Sequence, residues 1–261
     1  MTGGFFFDGH SSKDLGIYIV GINGAEDMMP LFGGQSYVSQ DVIGHDFESF
    51  IKTKKDNIKF TLYFSLYEAD GDESFDTNKL YAVGKFFARS IPFEFKVAEN
   101  MLKVIYIVPT SSIELVQFEK MKGYFQVSFQ ATMPYWMTPV DVKEFNLTTE
   151  PENSTFSVFN GRNIQDKYGN YDIYPKIEIQ FGTKTVADFV LSNDIRQIII
   201  KNFLADDHVT MQHRMISSGK DSNHIFSKWN KIPFCLTEGN NMLSVNNDCT
   251  VKIHLQYPVF Y

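Results

Sequence analysis

Cysteine is close to absent. Cys235 and Cys249, in a chain of 261 residues, make neither a disulfide framework nor a CxxC metal pair, and read as two partly buried free thiols. Long apolar runs are missing: no window reaches the roughly 18 residues of a membrane span, so no membrane insertion is expected. The opening "MTGGFFFDGHSSKD" lacks the basic start and apolar length of a signal peptide. Synthesis and folding in a cytoplasm are therefore expected, which makes the sequons at Asn146 and Asn153 chance matches. Excess positive charge is lacking too. A formal net charge of −7 argues against a general nucleic-acid binder that clamps phosphates with basic patches. No P-loop, GxGxxG, GxSxG or HExxH motif is present, so no enzymatic activity and no cofactor are expected.

Aromatics are abundant, with 25 Phe and 13 Tyr, and aromatic side chains favour strands. Alternating or apolar β-branched runs cover residues 16–22, 59–68, 92–98, 102–109, 112–120 and 123–131. Residues 99–100 and 120–123 look like tight hairpin turns, and with no helix between these runs the pairing is expected to be antiparallel. "FDTNKLYAVGKFFARS" places Leu80, Val83 and Phe87 at helical spacing, which predicts one amphipathic helix near 76–89 with Asp76 or Thr77 as N-cap. The run "GYFQVSFQATMPYWMTP" ends in a Pro/aromatic cluster, Met133–Pro139, that reads as the close of a domain. Residues 140–170 then turn polar, and further alternating runs follow at 174–182, 186–192, 196–204, 209–217, 242–247 and 250–258. The expected architecture is mainly β. Residues 1–139 form an N-terminal β-sandwich with one helix, and residues 140–261 a helix-free C-terminal sandwich or jelly roll.

Candidates for chemistry are few. Asp206, Asp207, His208 and His213 are the best metal cluster, but on a strand positions 208 and 213 face opposite ways. Asp70, Asp72, Glu73 and Asp76 lack EF-hand spacing and read as a solvated acidic loop. Glu114 and Glu178 are paired by nothing in the sequence. Trp229, between two lysines, offers a platform for stacking a sugar, with Tyr168 and Tyr171 as companions. An isolated Trp in a long loop more commonly anchors that loop on the core.

Phe5, Phe7, Asp8 and Gly9, followed by Ser11, Asp14, Leu15, Gly16 and Ile17, resemble the opening of distal tail proteins of long-tailed, non-contractile phages. "FQATMPYWMTP" is similar to the closure of that family's first domain. Glu238-Gly239-Asn240-Asn241-Met242-Leu243 is similar to a turn in its galectin-like second domain. Two departures are "SQDVIGHDFES", where the family is glycine-rich and only Ile43-Gly44 is recognisable, and the lack of a long arm-like insertion. The resemblance implies a tail-tip virion protein that forms a homo-hexameric ring. It would join the tail tube to a tail-tip or tail-fibre hub and to receptor-binding proteins, with DNA passing through the lumen without specific binding. A carbohydrate-binding β-sandwich that contacts host cell-wall saccharide is the rival expectation.

Overall fold

The computed structural model describes residues 4–14, 16–22, 29–41, 48–66, 77–97, 102–119, 122–161, 172–183, 188–193 and 195–259. The chain separates into two units, Met1–Pro139 with Pro258–Tyr261, and Val140–Tyr257.

The first unit contains β1 (Phe5–Phe7), β2 (His10–Ser11), β3 (Ile17–Ile22), β4 (Gln35–Asp41), β5 (Glu48–Lys55), β6 (Lys59–Leu66), α1 (Thr77–Phe87), β7 (Phe93–Val97), β8 (Ile105–Pro109), β9 (Glu114–Glu119), β10 (Lys122–Ala131) and β11 (Trp136–Met137). Seven strands run in the order β2-β1-β7-β8-β10-β6-β3, and β9 pairs with the early part of β10. All these pairings are antiparallel. The sheet is folded over. β1 and β6 are four strand positions apart, about 19 Å in a flat sheet, yet the rings of Phe7 and Phe64 lie 6.4 Å apart. Phe7 also meets Phe129 of β10 at 6.0 Å. Opposite ends of the sheet thus face each other across a core of Phe side chains, with Val83 and Phe87 of α1 buried in it.

The N-terminal motif is a folding device. Asp8 and Gly9, with φ of 48° and 80°, form the two-residue turn between β1 and β2, a conformation that Asp-Gly favours. The Asp8 carboxylate accepts from the Glu94 backbone N–H and from Arg89, both at 2.8 Å. The Arg89 guanidinium also lies 4.3 Å from the Phe86 ring. Ser11 and Asp14 exchange backbone-to-side-chain hydrogen bonds at 2.9 and 3.3 Å, fixing the bend before β3.

The second unit contains β12 (Asp141–Leu147), β13 (Thr155–Asn160), β14 (Lys176–Phe181), β15 (Phe189–Ser192), β16 (Gln197–Ile200), β17 (His208–Gln212), β18 (Met215–Ser218), α2 (Ile225–Lys228), β19 (Gly239–Val245) and β20 (Cys249–Leu255). A five-stranded sheet, β12-β20-β14-β17-β18, faces a four-stranded one, β13-β19-β15-β16. Phe145 meets Phe156 at 4.4 Å and Phe181 meets Phe189 at 5.0 Å across the interior, so this is a sandwich filled mostly by Ile, Leu and Val. Asn241 is buried and pins the turn before β19: its carboxamide accepts from the Thr237 N–H at 3.0 Å and donates to the Thr237 carbonyl at 2.8 Å. The last described strand, β21 (Pro258–Val259), returns to the first unit and pairs with β11.

Several expectations need correction. The second unit is not helix-free, since α2 forms at Ile225–Lys228. The expected strand 209–217 is two strands, divided where His213 takes a φ of 54°. Residues 140–170 hold two edge strands, β12 and β13, whose exposed positions are mostly polar, Val142 and Phe159 excepted. The turn at 99–100, the Asp70–Asp76 loop and Ile43-Gly44 lie outside the described residues.

Candidate functional site

The most unusual surface is the hairpin β4–β5. It forms a two-stranded sheet of its own, with Tyr37 paired to Thr53, Val38 to Lys52 and Ser39 to Phe50, and a bulge after Val38. Both its faces are open: Tyr37, Phe50 and Ile51 are 70%, 64% and 53% exposed. Lys52, Lys54 and Lys55 are exposed on the same strand, a basic segment in an acidic chain. An isolated two-stranded hairpin is marginal in water, and clustered exposed apolar side chains mark interaction surfaces.

The Pro/aromatic cluster anchors this hairpin. Gly33 donates from its backbone N–H to the Pro134 carbonyl at 2.7 Å, Phe32 bridges Tyr135, and the Trp136 indole donates to the Pro30 carbonyl at 3.1 Å. Across the root, the Asp56 N–H donates to the Gly34 carbonyl at 2.8 Å. Glycine is required at 33, because a Cβ there would lie 1.6 Å from the Asp56 carbonyl oxygen. Met137 meanwhile exchanges backbone hydrogen bonds with Val104, each 2.8 Å. One short segment therefore joins the hairpin root, the residue preceding β8 and the returning strand β21. This anchoring role was not read from the sequence, although the aromatic cluster itself was conspicuous.

The residues singled out for chemistry do not converge. Asp207 is buried, accepting from the Ser218 hydroxyl at 2.5 Å and the Lys220 N–H at 2.9 Å. His208 is exposed at the start of β17, and His213 stacks on Tyr174 with centroids 5.0 Å apart. Among the described residues no group of three or more His, Cys, Asp or Glu could hold a metal ion. Glu178 is engaged by Lys176 at 2.6 Å and His254 at 3.3 Å. The Lys176 hydrogen bond, outweighing the opposing effect of burial, holds its carboxyl below the usual range. Cys235 and Cys249 are free and buried. Burial pushes both thiols up, Cys249 to about 12 with Asp248 adding to the rise, which leaves them unreactive near neutral pH.

Trp229 does not offer a stacking platform. It is 3% exposed, part of the second unit's core, and forms a β-bridge with Ile200. Its two proposed companions, Tyr168 and Tyr171, lie outside the described residues.

Comparison with known proteins fits this architecture. Residues 141–255 match the family model of a phage tail C-terminal domain. No curated protein sequence matches the chain. Among solved structures, the Dit protein of SPP1, described as a paradigm of the hub adsorption apparatus in phages infecting Gram-positive hosts, superposes with a TM-score of 0.59 at 10% identity. That match covers 98% of this chain and all of the other. A chain of the phage P2 baseplate in its activated conformation with Ca gives 0.56 at 10% identity, over 97% of this chain and 98% of the other. The form with Sr gives 0.56, also at 10% identity, over 98% of each. At that identity the likeness establishes the fold. The chain is Dit-like in fold over nearly its whole length, and its residues 141–255 are similar to a phage tail C-terminal domain.

Proposed function

We propose that this chain is a structural, non-enzymatic component of the tail tip. Six copies would close into a ring around a channel for DNA, joining the tail tube to the host-adsorption apparatus in the virion. Residues 1–139 would build the ring. Residues 140–261 would sit outside it and offer docking surface to the tail-tip hub and receptor-binding proteins.

The exposed hairpin β4–β5 carries this reading. A projecting element that leaves Tyr37, Phe50 and Ile51 in water must seat on a surface other than itself. Such a heterologous contact closes into a ring when the rotation between copies allows it. The acidic net charge suits a lumen that repels rather than holds DNA.

Light scattering with negative-stain imaging tests the proposal. The expected result is a hollow species near six times the 30.0 kDa chain, reduced to monomer by Phe50→Asp. A strict monomer at high concentration, both alone and with the tail-tube protein, would overturn it.

A further inference from the structure

The second unit holds a groove of about 520 Å3 where its two sheets end, a size within the roughly 300–1,000 Å3 of small-ligand sites. It opens between β12 and β13, the edge strands of the two sheets. Side chains alternate along a strand, so Asp141, Lys143 and Phe145 share the core-facing side of β12 with buried Leu147. In register they lie opposite Leu255, Ile253 and Val251, all buried. Yet the Asp141 and Lys143 side chains are more than half exposed and pair with each other at 3.0 Å. A sandwich ordinarily covers that side of a strand with apolar contacts. Here it stays open and carries an ion pair.

The walls are aromatic. Phe145 packs on Phe156 at 4.4 Å, Phe159 is 52% exposed, and Tyr257 lines the groove with its hydroxyl donating to the Phe159 carbonyl at 3.4 Å. Gly161 makes room for the Phe159 ring, since a Cβ at 161 would lie 2.9 Å from it.

These features select a ligand class. Among the described lining residues the carboxylate and ammonium cancel, leaving no net charge with which to favour an ion. Carboxylate, ammonium and phenol together supply acceptors and donors, and the rings supply a flat apolar platform. A neutral ligand that is rich in hydroxyls and has one apolar face satisfies all three. We propose that the groove bordered by Asp141, Lys143, Phe159 and Tyr257 binds a neutral saccharide. This goes beyond the ring reading and does not depend on it.

The full-length protein, screened against short neutral oligosaccharides of glucose, galactose, rhamnose and N-acetylglucosamine, provides the test. Binding to at least one is expected, weakened about tenfold or more by Phe159→Ala. Gly161→Ala, which displaces the ring without removing it, should weaken binding at an unchanged melting temperature. Lys252→Ala, on the opposite side of β20, should leave affinity intact. No binding to any of these sugars, binding only to charged glycans or peptides, or affinity undiminished by Phe159→Ala would each overturn the proposal. Oligomeric mass is read separately, so a ring with an inert groove and a sugar-binding monomer give different results.

Discussion

The two units solve the same packing problem with different side chains. In the first, Phe is the commonest core residue, beside Ile, Val and Leu, and the rings cluster: Phe7 alone meets Phe5, Phe64, Phe86, Phe87, Phe93, Phe95 and Phe129 with centroids within 6.4 Å. In the second, the interior is mainly Ile, Leu and Val between two facing sheets, and Phe189 has two ring partners, Phe181 and Phe203. One folded-over sheet and a single helix leave a wide, irregular space that large flat rings fill. Two aligned sheets about 10 Å apart are filled by β-branched residues standing off their strands. The lesson is that an aromatic-rich composition belongs to the geometry of one unit, not to β-structure in general.

The same substitution in both units tests this contrast. Phe7→Ala and Phe189→Ala each remove a fully buried ring, and each should cost about 3–5 kcal/mol. Phe7 is expected at the upper end because more ring contacts are lost. Denaturant unfolding read separately for each unit checks it, and an equal or larger loss at Phe189 would break the comparison. Smaller effects probe the polar pins. Asp207→Ala should destabilise the second unit by about 1–3 kcal/mol, because the Lys220 N–H and the Ser218 hydroxyl lose their acceptor. Asp207→Asn, which keeps an acceptor, should cost less in the same assay.

Gly33→Ala sharpens the contrast from the other side. The Cβ overlaps the Asp56 carbonyl, and relieving that overlap should cost about 1–3 kcal/mol. The loss should fall on the first unit, with the second unit's unfolding unchanged.

The smallest effect concerns acid. The folded pKa of Glu178 lies below its unfolded value, so its contribution is present above the unfolded pKa and is lost as pH falls through the folded one. The pair is partly exposed, which limits the effect to under about 1 kcal/mol. Glu178→Gln should lower the melting temperature slightly near neutral pH and flatten its fall on the acid side, the two proteins converging below the folded pKa. An unchanged acid slope would show that the Lys176 contact contributes nothing.

The sequence was most readable where one strand face is buried. β6, β10, β14 and β20 keep apolar residues at every second position because a core lies on one side. β4 and β5 escaped notice for the opposite reason: with both faces open, "QSYVSQD" and "ESFIKTKK" carry no consistent alternation. β1, β11 and β21 are two or three residues long, too short to show a period. α2, at four residues, shows none either. Trp229 was seen both as an anchor and as a platform, and only its burial decides between them. Phe159 and Tyr257 drew no attention: Phe159 alternates onto the exposed face of β13, and nothing local shows that the two edge strands leave a groove beside it.

The pairing of β21 with β11 has a consequence for how the protein is made. Val259 is part of the first unit's core, but Val140–Tyr257 precedes it in the chain. At ~5–20 residues per second, the ribosome needs roughly 6–24 s to pass through that stretch. During this interval the first unit has its helix and its large sheet but lacks the strand that covers Trp136. The unit that bears the exposed hairpin is therefore the last to be completed, even though its synthesis begins first. A nascent chain cannot present a finished first unit before the second has been translated.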